Sequence, residues 1–289
     1  MSRSYLFVPG DSERKLAKAA DSDADALILD LEDAVTPGNR PMARERVAEF
    51  LASDHGIETW VRINPLDSTD ALDDLRATVP VAPRGIVLPK PNSAQDANQL
   101  AQLLDTLETE HGMSSGQIRI LPIATERPGA LFRMHEYAEA TPRIEALTWG
   151  AEDLAAAVGA YANRDEAGRW LPTFALARSL CLLAAAAGGV AAVDTVYTDF
   201  RDNDGLAQSA ADARRDGFTG KLAIHPGQVP IINAAFLPTP EEVERARRII
   251  AAFERDPQAG AVSIDGEMID RPHWLQARRI LDAARRAAS

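Results

Sequence analysis

The chain has one cysteine, Cys181, among 289 residues, and no apolar run long enough to span a membrane. A single thiol excludes a disulfide framework and a cysteine-built zinc cluster. Its neighbours Leu180, Leu182 and Leu183 mark it as a small core residue. Basic residues are in deficit: Lys plus Arg is 31 against 43 for Asp plus Glu, a net charge of −12. That balance argues against broad nucleic-acid binding, while leaving room for a local basic site that takes an anionic small molecule. No Gly-x-Gly-x-x-Gly follows a predicted strand, so a doubly wound dinucleotide-binding sheet lacks its usual mark. Met1-Ser2-Arg3-Ser4 leads straight into an apolar strand, with no secretory leader pattern. The expectation is a cytoplasmic protein with no membrane and no nucleic-acid partner.

What the chain does have is a regular alternation. Short apolar strands are predicted at Tyr5–Val8, Leu27–Leu29, Thr59–Pro65, Gly85–Pro91, Arg119–Glu126, Ala146–Gly150, Ala191–Tyr197 and Lys221–Pro226. Helical stretches separate them, including 93–111 with Leu100, Leu103, Leu104 and Leu107 on one face, 128–140, and the apolar 173–187. Residues 164–172 read as an excursion loop. Eight strands joined by helical crossovers predict an α/β fold of the TIM (β/α)8 barrel type. The barrel is assigned to 1–236 and a C-terminal helical arm to 237–289. The arm is read as a charged helix, a loop from Asp256 to Pro272, and a terminal helix. Its Ile249, Ile250, Phe253, Trp274, Leu275, Ile280 and Leu281 need burial, which a neighbouring subunit can supply, so a homo-oligomer is expected.

The chemistry concentrates where strands end. Leu27-Ile28-Leu29 runs into Asp30, Glu32 and Asp33, three carboxylates within four residues after a strand buried on both faces. Other strands end at Pro9-Gly10, Arg62 and Asn64, Lys90, Glu126, Gly150 followed by Asp153, Asp194, and His225. In a barrel these ends converge on one mouth. Glu126 and Asp153, from adjacent strands, suit Mg²⁺, which prefers oxygen ligands and keeps several waters. Glu32 and Asp33 are placed to hold those waters. The competing readings are a solvated acid for Glu126 and a helix N-terminal acid for Asp153. An arginine at a strand end needs an anion, so Arg62 meets either a carboxylate substrate or a structural partner, Asp30 or Glu32.

The set Arg3-Ser4-Tyr5-Leu6-Phe7-Val8-Pro9-Gly10, Leu29-Asp30-Leu31-Glu32-Asp33-Ala34-Val35, Arg62-Ile63-Asn64, Leu88-Pro89-Lys90, Glu126 with Gly129, Gly150-Ala151-Glu152-Asp153, and Gly217 through Gln228 resembles the citrate lyase beta-subunit-like and malyl-CoA lyase group of the HpcH/HpaI aldolase superfamily. The resemblance implies a TIM barrel, a Mg²⁺ ion, and carbon–carbon cleavage of a 3-hydroxyacyl-CoA, or the reverse condensation. Malyl-CoA, citramalyl-CoA or citryl-CoA would give acetyl-CoA and a 2-oxo acid. Glu126 and Asp153 match the family's metal ligands, and Arg62 matches the arginine that contacts substrate and enolate oxygen. Asp265-Gly266-Glu267-Met268-Ile269-Asp270 resembles a segment that closes over a neighbouring subunit's site, with Asp270 matching the acid/base residue; the implied assembly is a homotrimer. Backbone N–H groups from Gly150 through Ala151 to Asp153 would bind the substrate carboxylate at a helix N-terminus. Arg14, Lys15, Lys90 and Lys221 are the candidates for the CoA phosphates. Two other activities fit the same pattern: a class II pyruvate aldolase that takes free aldehydes without CoA, and a non-catalytic CoA-thioester-binding subunit of a larger complex.

Overall fold

The computed structural model describes residues 2–256 and 258–288. They fall into two compact units, Met1–Ala235 and Phe236–Ser289. No helix among the described residues is long and apolar enough to cross a membrane.

The first unit is built on eight parallel strands: β1 (Ser4–Pro9), β2 (Ala26–Asp30), β3 (Glu58–Arg62), β4 (Gly85–Leu88), β5 (Arg119–Pro122), β6 (Ala146–Thr148), β7 (Ala191–Asp194) and β8 (Gly220–Ala223). They pair in the order β5-β4-β3-β2-β1-β8-β7-β6. Parallel bridges Ile120↔Ile144 and Ile123↔Thr148 join β5 to β6 and complete the ring. This is the predicted TIM-type α/β barrel. The helices α1 (Glu13–Ala20), α2 (Arg40–Leu51), α3 (Ala71–Thr78), α4 (Ala94–Glu110), α5 (Pro128–Leu131), α6 (Ala151–Val158), α7 (Pro172–Ala187), α8 (Asn203–Asp216) and α9 (Val229–Ala235) lie between and after the strands.

Period-two alternation sorts the strand residues. Tyr5, Ala26, Ile28, Trp60, Val87, Leu121, Ile123, Ala146, Val193 and Leu222 pack together as one core. Gly85 is forced by that packing: a Cβ there would sit 2.3 Å from Cζ3 of Trp60. Cys181 is buried on α7, as its apolar neighbours imply.

Four local expectations need correction. Residues 128–140 are not one helix. They form the single turn α5 and then a 3₁₀ segment over Met134–Glu139, whose buried anchors Met134 and Tyr137 stand three apart, the 3₁₀ repeat. Strands β3 to β8 stop short of their predicted ends, which leaves Asn64, Lys90 and Glu126 on loops above the ring, whereas β1 and β2 run on to Pro9 and Asp30. The 256–272 loop contains an antiparallel hairpin of β9 (Ala261–Ile264) and β10 (Glu267–Asp270). Its two-residue turn, Asp265-Gly266, has φ of +54° and +83°, the left-handed pair a tight hairpin needs.

The fourth correction concerns the arm's apolar residues. With α10 (Pro240–Arg255) and α11 (Arg271–Ala288), the hairpin encloses a core of Ala246, Ile249, Phe253, Ile269 and Ala277. Ile250, Trp274, Ile280 and Leu281 pack against it. They are satisfied inside the unit; Leu275 and Met268 remain exposed.

Candidate active site

The mouth is organised by the turn that follows β2. Asp30, only 1% exposed, folds the chain back on itself by accepting hydrogen bonds from the Glu32 N–H (2.9 Å) and the Ala34 N–H (3.2 Å). The same carboxylate takes the Arg62 fork, with Nε at 2.7 Å and Nη2 at 2.6 Å. Register explains the meeting, because Asp30 and Arg62 are cross-strand partners in the β2–β3 pair. Arg62 also rests over the Phe7 ring, 4.7 Å from its centroid. Burial works against the Arg62 charge, but Asp30, Glu32 and Glu126 outweigh it and hold the guanidinium fully protonated. Asn64 fastens the end of β3 by donating to the Leu31 carbonyl (2.9 Å) and to Asp74 (2.8 Å).

Glu32 is buried beside this pair. Its Oε1 accepts from Lys90 Nζ at 2.5 Å. Its Oε2 lies 3.0 Å from Arg62 Nη1 yet accepts no hydrogen bond, an orphaned buried oxygen. Burial raises the Glu32 carboxyl, opposed by Arg62 and Lys90. Asp33 is half-exposed and also meets Lys90 Nζ, at 2.8 Å.

Glu126, 3% exposed, comes up from β5. Its Oε2 accepts from the Lys90 backbone N–H, 2.5 Å. Burial and then the nearby Asp153 carboxylate push its carboxyl well above the usual range. Gly150 makes room for it: a Cβ at Gly150 would fall 2.6 Å from Glu126 Cγ. The Gly150 N–H is already donated to Thr125 Oγ1 (3.2 Å), so the free donors of the α6 N-terminus begin at Ala151. Asp153, in the first turn of α6, is a third exposed and lies 3.3 Å from Lys90 Nζ.

The structure thus brings Arg62, Glu32, Asp33, Glu126, Gly150, Ala151 and Asp153 together. Arg14 and Lys15 are exposed on α1, which starts at the same end of the ring. Two phosphate candidates do not hold. Lys90 is committed to Glu32, Asp33 and Asp153 inside the mouth. Lys221 is wholly buried and paired with Asp194 at 2.7 Å; its alternation partner Leu222 faces the core, so Lys221 points toward the helices. Asp270 ends β10 in the second unit, with Oδ1 2.6 Å from His273 Nδ1.

Phe7 and Thr125 went unread as site residues. Phe7 was detectable from its inward phase two residues before Pro9; Thr125 carries no sequence signal of its own.

Among the described residues, no three His, Cys, Asp or Glu side chains gather into a ready-made cation cage. The donor set still fits Mg²⁺. It offers a buried carboxylate touched by no cationic side chain, a second carboxylate open to solvent, and the unsatisfied Glu32 Oε2 as a partner for bound water.

The model of the family described as "HpcH/HpaI aldolase/citrate lyase" matches residues 3–226. The chain is 36% identical to the citrate lyase subunit beta of Haemophilus influenzae, over 99% of this chain and 97% of that protein. It is 35% identical to a (3S)-malyl-CoA thioesterase of Cereibacter sphaeroides, over 99% and 96%. The crystal structure of CitE from Mycobacterium tuberculosis in complex with magnesium, acetoacetate and coenzyme A is 34% identical, covers 98% of this chain and 97% of that one, and superposes with a TM-score of 0.80. The match spans the barrel end to end: this chain belongs to the HpcH/HpaI aldolase/citrate lyase family.

Proposed function

We propose that the protein is a Mg²⁺-dependent carbon–carbon lyase that cleaves a 3-hydroxyacyl-CoA into acetyl-CoA and a 2-oxo acid. The observation that carries this reading is the buried Glu126 carboxylate beside Asp153, with the Arg62 fork held next to them by Asp30. The relatives support it: one is named for citrate cleavage, one for a malyl-CoA substrate, and a neighbouring structure holds magnesium and coenzyme A.

Glu126 and Asp153 would hold the ion, with Glu32 and Asp33 orienting its waters. When bound, Mg²⁺ supplies a Lewis acid that polarises the substrate's hydroxyl or carbonyl oxygen. The chain's own residues do the rest. The free N–H groups at the start of α6 receive the substrate carboxylate. Arg62, its planar fork locked on one side by Asp30, presents its remaining N–H groups to the thioester oxygen, where enolate charge collects as the bond breaks. A preorganised donor of this kind is worth about 2.7–4 kcal/mol of barrier. Arg14 and Lys15 take the CoA phosphates. Incubating the purified chain with a panel of 3-hydroxyacyl-CoAs, with Mg²⁺ or with EDTA, and identifying products by mass spectrometry tests the reading. Metal-dependent release of acetyl-CoA and a 2-oxo acid is expected. Cleavage only of free 2-oxo-acid aldols would favour a pyruvate aldolase, and no turnover with tight CoA-ester binding a carrier subunit. Free CoA as the first product would mark hydrolysis, the activity for which one relative is named.

The proton that the 3-hydroxyl loses as the carbon–carbon bond breaks is carried to the enolate carbon by Asp270 as acid/base, delivered by a neighbouring copy in a cytoplasmic homotrimer. The exposed Met268 and Leu275 on the same unit are suitable contact residues. Mixing inactive Asp270→Asn with inactive Arg62→Ala, under verified subunit exchange, should restore part of the activity. No recovery would confine Asp270 to its own chain or remove it from the reaction.

A further inference from the structure

Lys90 sits between Pro89 and Pro91 with φ of +48°, a left-handed conformation that residues with side chains rarely adopt. That conformation does two jobs. It aims the backbone N–H at Glu126 Oε2 (2.5 Å). It also sends the side chain across the mouth, where Nζ lies 2.5 Å from Glu32, 2.8 Å from Asp33 and 3.3 Å from Asp153. One residue therefore touches each of the four carboxylates that a cation entering the mouth would meet. The contact to Asp153 is the longest of the three and joins the two partly exposed ends of the network.

Resting on the metal pair proposed above, we infer that Lys90 is a tethered counter-ion that sets both the strength and the identity of the bound cation. Its ammonium occupies Glu32 and Asp33 so that neither becomes a direct ligand, and it gives up Asp153 when a divalent ion binds. The site then offers few protein oxygens and many waters, which favours Mg²⁺. Ca²⁺ takes six to eight oxygen ligands and is refused while two of the carboxylates are engaged. Removing the ammonium would free Glu32 and Asp33 to join Glu126 and Asp153 and turn the mouth into a tighter, less selective site.

The test is calorimetric titration of the metal-free full chain with Mg²⁺ and with Ca²⁺. Lys90→Met keeps the stem and the backbone N–H but deletes the charge. It should bind Mg²⁺ at least tenfold more tightly than wild type and Ca²⁺ at least a hundredfold more tightly; Lys90→Arg should stay within a few-fold of wild type. Unchanged or weaker Ca²⁺ and Mg²⁺ binding by Lys90→Met overturns the inference while wild-type Mg²⁺ binding leaves the metal pair standing. No divalent binding by either protein overturns the metal pair itself. A measurement on the wild type guards against a misfolded variant. Mg²⁺ should raise acetylation of Lys90 by acetic anhydride several-fold, read by peptide mass spectrometry, as the ammonium leaves Asp153. Slower or unchanged labelling counts against the inference.

Discussion

Two of the barrel's buried charge clusters differ in balance. In the sealed one, between strands and helices, Asp194 accepts from Lys221 (2.7 Å), from Trp149 Nε1 (2.8 Å) and from Arg178 (3.2 Å), and Arg178 also pairs with Asp216. Lys221 and Arg178 face Asp194 and Asp216, and Arg164 lies close enough to act on Asp194 and Lys221, so positive charge is not in deficit there. At the mouth, Asp30, Glu32, Asp33, Glu126 and Asp153 face Arg62 and Lys90 alone among the described residues, and Glu32 Oε2 accepts no hydrogen bond. Burial of charge is common to both. Of the two, the mouth is the one with a surplus of negative charge, and that surplus is what a divalent cation would neutralise.

Removing the surplus should produce the largest effect. Glu126→Gln should abolish Mg²⁺ binding and lower turnover by about three orders of magnitude, since a Lewis-acid ion contributes several kcal/mol of charge stabilisation. The fold should not suffer. The folded Glu126 carboxyl is raised by burial, so its contribution to stability is present at low pH and is lost as pH rises through the folded value. Glutamine has no such loss. In EDTA, denaturant titration should find the variant gaining on wild type as pH rises above the ordinary glutamate value of 4.5.

Breaking the balanced cluster should do the opposite, harming the fold and sparing the chemistry. Lys221→Met leaves buried Asp194 with Arg178 and Trp149 as its donors and should cost about 3–5 kcal/mol in urea unfolding, with turnover per folded molecule kept. The double variant Lys221→Met/Asp194→Leu should recover most of that loss. Burial opposes the Asp194 charge, but Lys221 and Arg178 outweigh it and hold its carboxyl below the usual value of 3.8. Its stabilising contribution is therefore full above that value and fades as pH falls through the folded one. The stability gap between wild type and Asp194→Asn should narrow correspondingly in acid.

These clusters also mark what could be read without coordinates. The ring of strands was legible because each strand is an apolar run between helix signals, and the mouth was legible because polar residues end those runs. Which lysine serves which cluster was not. Lys90 and Lys221 both follow or lie in a strand, and only phase and backbone conformation separate a residue crossing the mouth from one facing the helices. The arm's hairpin was within reach, since Asp-Gly flanked by apolar residues is a strong turn signal. Gly260 and Pro272 flank it as loop formers and compete with that signal. The oxygen of Glu32 left without a donor depends on tertiary geometry and has no counterpart in the sequence.

A third substitution sharpens the comparison by keeping charge and changing shape. Arg62→Lys preserves the count of cations at the mouth but loses the fork that Asp30 clamps. Turnover should fall by ~10²-fold, toward the lower end of the loss seen for preorganised donors, while Mg²⁺ affinity stays within a few-fold of wild type. Equal losses in both would mean that the arginine acts on the metal site and not on the developing enolate.

The smallest effect should come from Gly150→Ala, which alters no charge. The added methyl would meet Glu126 Cγ at 2.6 Å, closer than such carbons approach, so the Glu126 side chain must move. Its far end is held by the Lys90 N–H, and the movement should stretch that hydrogen bond or withdraw the carboxylate from Asp153. A few tenths of an ångström matter for Mg²⁺, which demands near-ideal octahedral placement, and matter less for Ca²⁺, whose coordination is flexible. Mg²⁺ affinity should therefore drop about tenfold, near 1.4 kcal/mol, with Ca²⁺ affinity reduced less. If the methyl instead weakens both cations equally while leaving the Glu126 position intact in a crystal structure, the glycine matters for the α6 N-terminus and its anion, and the carboxylate pair is less tightly placed than the packing around Gly150 implies.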